Sequence, residues 1–141
     1  MTTRDHGEVR AVLDVSAMLS YASGHVHVGE ILVDIADEDG VYAGLPAVAL
    51  LAAHARVLAD PVARARLGVL AALPGVRVLP LDARDAPEVS LVVPVAGGDL
   101  ARAHALWAAL VHRAYYLTTQ PQTAVGILTD DQIHPIPDHD A

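Results

Sequence analysis

The feature that most constrains the fold of this chain is a repeated alternation of short runs rich in Val and Leu with segments of helical length. The first run, residues 8–13 (EVRAVL), indicates a buried strand, and further strands are predicted at residues 41–45, 76–81, 115–118 and 133–136. Consecutive parallel strands need a crossover of about a dozen residues or more, which the helical segments supply. The pattern therefore predicts an α/β fold in three layers, α/β/α, around a mostly parallel central sheet.

The segments between these runs carry helix signals. Residues 16–22 form a short predicted helix, and residues 27–38 place apolar side chains on one helical stripe, Val28, Ile31, Leu32 and Ile35. Pro46 is predicted to begin an Ala- and Leu-rich helix that runs to about residue 59. Asp60 and Pro61 predict the N-cap and the first position of the next helix, which ends near residue 73.

The helical period is strongest from Asp99 onward. Arg102 points away from the predicted apolar face of this helix, which comprises Leu100, Ala103, Trp107, Leu110, Val111 and Ala114. For residues 83–95 both a strand and a helix are possible predictions, because residues 89–93 are β-like in composition while their tertiary setting could make them helical.

Length and composition fit one domain. With 141 residues, 53% of them hydrophobic and 18% charged, the chain is long enough for one core and too short for two ordinary domains. We therefore expect a single domain over residues 1–136 and a frayed tail over residues 137–141. The lack of cysteine excludes disulfides, thiolate zinc sites and a cysteine nucleophile.

The same composition limits where the protein acts and what it binds. The longest apolar run, residues 45–53, is about half of the roughly 20 residues that cross a bilayer, so no membrane span is predicted. The first residues include acids and no apolar signal-peptide core, which favours a cytoplasmic location. All nine basic residues are Arg, in a composition typical of GC-rich bacterial genomes, and the net charge of −8 disfavours strong sequence-independent binding of nucleic acid.

Polar residues follow the predicted strands at the edge where parallel sheets collect functional groups. Asp14 follows the first strand, and Asp99 opens a later helix. Thr118, Thr119 and Gln120 lie at the end of the fourth strand. In open α/β sheets, ligands bind in the crevice at the carboxyl ends of the strands. Two carboxylates converging there favour a hard divalent cation such as Mg²⁺, which can activate water against a phosphodiester.

Four short motifs, in their order along the chain, resemble a known family. They are VLDVS at residues 12–16, Pro46 before an apolar helix, DLARAH at residues 99–104 and LTTQP at residues 117–121. Together they resemble the PIN-domain family of the VapC toxin type, over about residues 9–136. The resemblance implies a ribonuclease fold in which a few acidic residues bind Mg²⁺ or Mn²⁺ and cleave RNA.

Matched residue by residue, the resemblance implies roles for five side chains. Asp14 matches the first acid of the family, and Asp99 matches the acid that begins the later helix. Both are the catalytic and metal-binding residues that the resemblance implies. Ser16 matches the hydroxyl residue two positions after the first acid, and Thr118 and Gln120 stand in the motif after the fourth strand as supporting residues.

Two acids of the family's pattern are replaced in this chain. The family usually has Glu in the helix after Pro46, where this chain has Ala52 or Ala53, and Asp in the later motif, where it has Gln120. The loss of two formal negative charges weakens both ion binding and stabilisation of the transition state. The resemblance therefore implies a degenerate acidic site with weak or absent nuclease activity, which binds Mg²⁺ or Mn²⁺ weakly or holds no cofactor.

The candidate residues also fit structural roles. Asp14 could cap a strand-to-helix turn, and Asp99 after two glycines is an equally good helix cap. A carboxylate can cap a helix and bind a metal at the same time. His54 could stand in for the missing Glu, and Asp130 or Asp131 for a missing acid, although a lone His in an Ala-rich helix is usually a surface or hydrogen-bonded residue.

The sequence thus supports three hypotheses about function. The leading one is a PIN-like module with a decayed nuclease site, kept for weak binding of RNA or for binding a protein partner. The alternative is an active VapC-type endoribonuclease toxin, which would need a small antitoxin as partner. The third is a structural or regulatory subunit that uses the fold as a scaffold. The high apolar content predicts a homodimer or another buried interface.

Overall fold

The computed structural model describes residues 7–138 of the chain. Its strands are β1 (Glu8–Leu13), β2 (Val41–Pro46), β3 (Val76–Leu79), β4 (Tyr115–Thr118) and β5 (Ile133–Pro135). Its helices are α1 (Val15–Ala22), α2 (Val26–Ala36), α3 (Ala47–Arg56), α4 (Pro61–Ala72), α5 (Asp85–Ser90) and α6 (Leu100–His112), and a short 3₁₀ helix covers Pro121–Thr123. The strands form one parallel sheet in the order β3-β2-β1-β4-β5. The predicted three-layer α/β/α architecture is confirmed.

The sheet separates two hydrophobic cores, because its central strand β1 is buried on both faces. Ala11 and Leu13 pack on one side against α1, α2, α3 and α4, whereas Val9 and Val12 pack on the other side against α6. Successive side chains of a strand point to opposite faces of the sheet, and an irregularity in the pairing of β1 between Val9 and Ala11 shifts this alternation by one residue, so that Val9 shares a face with Val12. The apolar run that predicted a buried strand therefore contributes to both cores at once.

The direction in which strands are added reverses at β1. From β1 the chain builds outward through β2 and β3, and then returns to add β4 and β5 on the other side of β1. Segments that leave the carboxyl ends of two such neighbouring strands diverge, and a crevice opens between them. Asp14 and residues 119–120 follow β1 and β4 at this crevice.

Pro46 comes directly before helix α3 instead of forming its first residue. It is the last residue of β2 and the N-cap of α3, with extended backbone angles (φ −59°, ψ 131°), so the prediction of a first-turn proline is wrong. The fixed φ of proline suits both an extended residue and a helix start, and the pairing of β2 with β3 decides between them. α3 ends at Arg56, earlier than the predicted residue 59, whereas Asp60 caps α4 as predicted.

The apolar face predicted for α6 is wrong in part: Ala103 is buried and Trp107 packs against the core as predicted, but the larger aliphatic residues of that face lie at the surface. Leu100 is 64% exposed, and Leu110 and Val111 are also exposed. The buried residues of this helix are Ala101, Ala103, His104, Ala105, Leu106, Ala108 and Ala109. The prediction took the larger apolar side chains as core residues. α6 instead packs against α3 and β1 mainly through alanines, whose small side chains let the backbones approach closely.

Residues 83–95, for which the sequence allows either a helix or a strand, are helical in part. Helix α5 covers the middle of this segment, and turns follow from residue 91 to residue 98. Val89 is the buried residue of α5 and joins the core on the α6 side. The tertiary setting, rather than β-like composition, therefore determines the local structure.

The predicted C-terminal tail is described only at its start. Residues 139–141 of the predicted tail lie outside the described residues, and only Pro137 and Asp138 of that tail are described. Across residues 7–138, no helix combines the length and apolar character needed to cross a bilayer.

Candidate functional site

Asp14 lies directly after β1 and caps helix α1. Its side chain is 5% exposed, and Oδ1 accepts hydrogen bonds from Ser16 Oγ at 2.6 Å and from Ala17 N at 2.9 Å. Oδ2 accepts a hydrogen bond from Thr118 Oγ1 at 2.6 Å. Burial raises the pKa of Asp14, while these hydrogen bonds and the charge of Arg102 oppose the rise. Both carboxylate oxygens are therefore engaged by protein donors.

Hydroxyl groups join the ends of β1 and β4 around this carboxylate. Ser16 Oγ accepts a hydrogen bond from Thr119 N at 2.9 Å, and Thr118 Oγ1 accepts one from Gln120 N at 2.9 Å. The two hydroxyl oxygens lie 3.3 Å apart. Ser16 and Thr118 thus fix the loop after β4 against the start of α1.

Asp99 caps helix α6 at the opposite side of the crevice. Its Oδ1 accepts a hydrogen bond from Arg102 N at 2.9 Å, and its Oδ2 lies 3.9 Å from Arg102 Nη2. Arg102 also donates from Nη1 to the carbonyl oxygen of Ala96 at 3.3 Å. The guanidinium is therefore held beside Asp99 by its own helix and by the preceding turn.

A cleft of about 260 Å³ brings the two predicted carboxylates to one place. Asp14 and Asp99 both line it, as do Ser16 and Gln120. Thr118 does not line the cleft, but it is fully buried and donates a hydrogen bond to Asp14. The remaining lining is Val15, Leu19, Ser20, Ser23, His25, Arg56, Arg102, Thr119 and Asp138. The structure thus places the predicted site residues together, and their catalytic and metal-binding roles stay predictions.

The substitutes weighed for the missing acids do not line this cleft. His54 is half-buried on α3, and Asp130 and Asp131 are exposed in the loop before β5. Ala53, at a position matched to the family's Glu, is fully buried in the core. The carboxylates of the cleft are therefore Asp14, Asp99 and the Asp138 of the tail.

Sequence reasoning missed the arginines and two serines of the cleft. Arg56 lies in the last turn of α3, and Arg102 lies in the first turn of α6, where the predicted face pointed it elsewhere. Ser20 lies four residues after Ser16, so these two serines share one stripe of α1, and Ser23 follows as the C-cap of the helix. That spacing is the signal that could have identified Ser20.

The family resemblance implies a divalent cation, and the donor set of the cleft does not fit one. The oxygens of Asp14 already accept three hydrogen bonds, and Asp99 caps α6. Arg56 and Arg102 line the same cleft, and their positive charges would repel a cation. In the described part of the chain, no group of three or more His, Asp or Glu side chains could hold a metal ion.

Comparison of the sequence with protein-family models and with curated proteins finds no match. Comparison of the fold with solved structures finds clear likenesses. The VapBC2 structure of Rickettsia felis, bound to a DNA fragment of its promoter, has a TM-score of 0.67 and 9% identity, covering 90% of this chain and 98% of that chain. A toxin-antitoxin complex from Klebsiella pneumoniae has a TM-score of 0.63 and 13% identity, covering 93% and 99%.

A third solved structure has the same fold over nearly the same length. PAE2754 from Pyrobaculum aerophilum has a TM-score of 0.62 and 17% identity, covering 94% of this chain and 92% of that chain. These identities are low, so the likeness concerns the fold. Together with the parallel sheet and its order, the three likenesses show that the chain has the PIN-domain fold of VapC-type toxins.

Proposed function

We propose that this chain is a cytoplasmic PIN-fold module, with one domain over residues 1–136, whose nuclease activity is lost or weak and which acts by binding a protein partner. The observation that carries the proposal is the composition of the cleft. Arg56 and Arg102 line it beside Asp14 and Asp99, each of which caps a helix through its Oδ1 oxygen.

The chemistry of phosphodiester cleavage supports this reading. A metal-dependent nuclease needs enough carboxylate charge to hold a divalent ion that activates water and stabilises the transition state. In this chain, alanines and Gln120 stand where the family resemblance implies two further acids, and the cleft adds two positive charges instead. Each of these changes weakens the hold on a divalent cation.

RNA cleavage by the purified protein tests the loss of activity. We expect no cleavage in Mg²⁺ or in Mn²⁺ above the level of an Asp14→Ala variant purified in parallel, which measures contaminating nuclease. Cleavage that disappears in Asp14→Ala would overturn the proposal and favour the alternative, an active VapC-type endoribonuclease toxin.

An apolar groove supports a protein partner of the antitoxin kind. The groove has a volume of about 720 Å³ and lies between α2 and α4, and Val26, Val33 and Val69 line it with exposed side chains. Large exposed apolar surfaces on a single protein commonly mark interaction sites. The net charge of −8 favours a partner with a basic, partly apolar segment, as does the groove, where Glu30 and Asp37 outnumber Arg66. The Rickettsia and Klebsiella structures are themselves complexes of this kind.

A matched pair of variants tests this partner. Val33 is 61% exposed in the groove, and Val95 is 62% exposed outside it, so Val33→Asp and Val95→Asp add the same charge to equally exposed positions. We expect the protein purified from its own host to carry a basic partner at fixed stoichiometry by native mass spectrometry, and Val33→Asp alone to lose it. A partner retained by Val33→Asp would contradict the proposed groove.

We also propose that the protein forms a homodimer. Outside the groove, large apolar side chains are exposed on and after α3 and at the start of α6, among them Leu51, Leu58 and Leu100. Sedimentation velocity at micromolar concentration should give a dimer mass, and Leu51→Glu should shift it toward the monomer. A monomer mass for the unmodified protein would contradict this assembly.

A further inference from the structure

We propose that the cleft between α1, α3 and α6 binds a phosphate-type oxyanion without a metal ion, through Arg56, Arg102 and Ser20. The inference goes beyond the proposed function, because binding of a protein partner in the groove needs no ligand in the cleft. The donor set of the cleft does not fit a divalent cation, and its two arginines favour an anion instead.

Arg56 is the positive group of the cleft with the most donors to spare. It projects from the last turn of α3, is exposed, and has no hydrogen bond or ion pair among residues 7–138. Arg102 contributes the second guanidinium from α6, fixed by its contacts with Asp99 and Ala96. A guanidinium presents a planar fork of N–H donors that matches the oxygens of a phosphate group.

Ser20 supplies an independent observation that the cleft expects a polar ligand. Its side chain is 6% exposed, and its Oγ has no hydrogen-bond partner, although the residue lines the cleft. A buried hydroxyl without a partner is unfavourable and is rare in folded proteins. An oxyanion in the cleft would accept the hydrogen bond that this hydroxyl has available.

Asp14 and Asp99 already have hydrogen-bond or charge partners within the protein. Asp14 accepts hydrogen bonds from three donors, and Asp99 caps α6 beside Arg102. Asp138 of the tail also lines the cleft, so a carboxylate of the chain itself lies with the two arginines. Asp138 would therefore repel an incoming anion and compete with it for the same donors.

The size of the cleft limits the ligand. Its volume of about 260 Å³ is just below the roughly 300–1,000 Å³ of sites that hold drug-sized molecules. A phosphate group fits this space, and a longer ligand would extend beyond it. The ligand chemistry is therefore inorganic phosphate or the terminal phosphate of a short nucleotide.

Calorimetric titration of inorganic phosphate into the full chain, in EDTA, tests the proposal. We expect saturable binding that Arg56→Gln weakens roughly tenfold, because a charge-assisted pair is lost. Arg64→Gln, an exposed arginine of α4 outside the cleft, is the control with the same change of charge and should bind as the unmodified protein does. Asp138→Asn should bind phosphate more tightly.

Two further measurements separate the sources of the phosphate and the role of the serine. The first compares a 5′-phosphorylated trinucleotide with the same trinucleotide carrying a 5′-hydroxyl and with inorganic phosphate. Tightest binding of the phosphorylated trinucleotide identifies the terminal phosphate of a nucleotide as the ligand. Equal binding of the phosphorylated trinucleotide and inorganic phosphate identifies free phosphate. Ser20→Ala should weaken phosphate binding several-fold while the melting temperature stays unchanged or rises.

Three results would overturn the proposal: no saturable binding of phosphate, equal binding by the Arg56→Gln and Arg64→Gln variants, or binding that appears only with Mg²⁺. None of them depends on RNA cleavage or on the partner in the groove. Failure here and failure of the proposed function are therefore distinguishable.

Discussion

At the scale of single residues, the fold keeps a neutral imidazole in its interior. His104 of α6 is fully buried, and its Nδ1 accepts a hydrogen bond from Val48 N at 3.3 Å, at the start of α3. Burial lowers the pKa of His104, and the charge of Asp85 opposes this shift. Because Nδ1 accepts, the hydrogen-bond network assigns the ring proton to Nε2.

The stability should therefore fall as the pH drops below about 6.5, the ordinary pKa of histidine. The unfolded chain takes up a proton on His104 near that pH while the folded chain does not, so the free energy of unfolding decreases toward acid. One group contributes at most about 1.4 kcal/mol per pH unit. Urea unfolding at about pH 7.5 and 5.5 measures the slope.

Two variants assign this pH dependence to one side chain. His104→Gln keeps an acceptor for Val48 and should reduce the slope to the part that comes from His112, whose pKa burial also lowers. His134→Gln, at an exposed position, should leave the slope unchanged. The same slope in both variants would show that another group is responsible.

Tyr116 is a second interior polar group and lies on β4 beside β1. Its hydroxyl is buried and makes no hydrogen bond of good geometry among the described residues, and burial together with the nearby charge of Asp14 raises the pKa of the phenol. We expect Tyr116→Phe to leave the free energy of unfolding unchanged or to raise it by roughly 1 kcal/mol, since the variant buries no unsatisfied hydroxyl. Chemical denaturation beside Tyr115→Phe, at an exposed ring, checks this. A loss of stability in Tyr116→Phe would mean that the hydroxyl has a partner.

At the scale of the elements, close packing between strands depends on one glycine. A Cβ built on Gly44 of β2 would lie 2.6 Å from Leu79 Cδ1 and 2.8 Å from its Cγ. We expect Gly44→Ala to lower the free energy of unfolding by roughly 1–3 kcal/mol, because Leu79 is buried and must shift. Thermal and chemical denaturation measure the loss.

The control for this substitution lies on helix α4. Gly68 has nothing within 4 Å of a built Cβ, so Gly68→Ala should raise stability by roughly 0.5–1 kcal/mol through helix propensity. In a Leu79→Ala background the cost of Gly44→Ala should shrink, since the clashing atoms are gone. An equal cost in both backgrounds would contradict the contact as its cause.

The elements also show what local sequence can and cannot predict. The buried strand β1 and the caps Asp14, Asp60 and Asp99 follow from short-range patterns, since a cap bonds to a backbone only three residues away. The buried face of α6 does not follow, because it depends on which neighbour the alanines meet. Arg56 escaped prediction for the same reason, since its place in the cleft requires α3 and α6 to be packed together.

At the scale of the whole molecule, the sheet order brings residues distant in sequence to one cleft of mixed charge. The free energy of unfolding should be insensitive to divalent ions, because a ligand stabilises only the fold that binds it. We expect melting temperatures in about 10 mM Mg²⁺ and in EDTA to agree within about 1 °C. A rise of several degrees in Mg²⁺ that Asp14→Asn abolishes would reveal a metal site.

The hydrogen bond between Thr118 and Asp14 also has a consequence for synthesis on the ribosome, since it joins residues 104 positions apart. At roughly 5–20 residues per second, Thr118 is made about 5–20 seconds after Asp14. During that interval Asp14, which the folded protein buries, lacks one of the three hydrogen-bond donors to its carboxylate. Growing chains that stop before β4 therefore cannot present a finished cleft, and whatever ligand the cleft takes meets only completed protein.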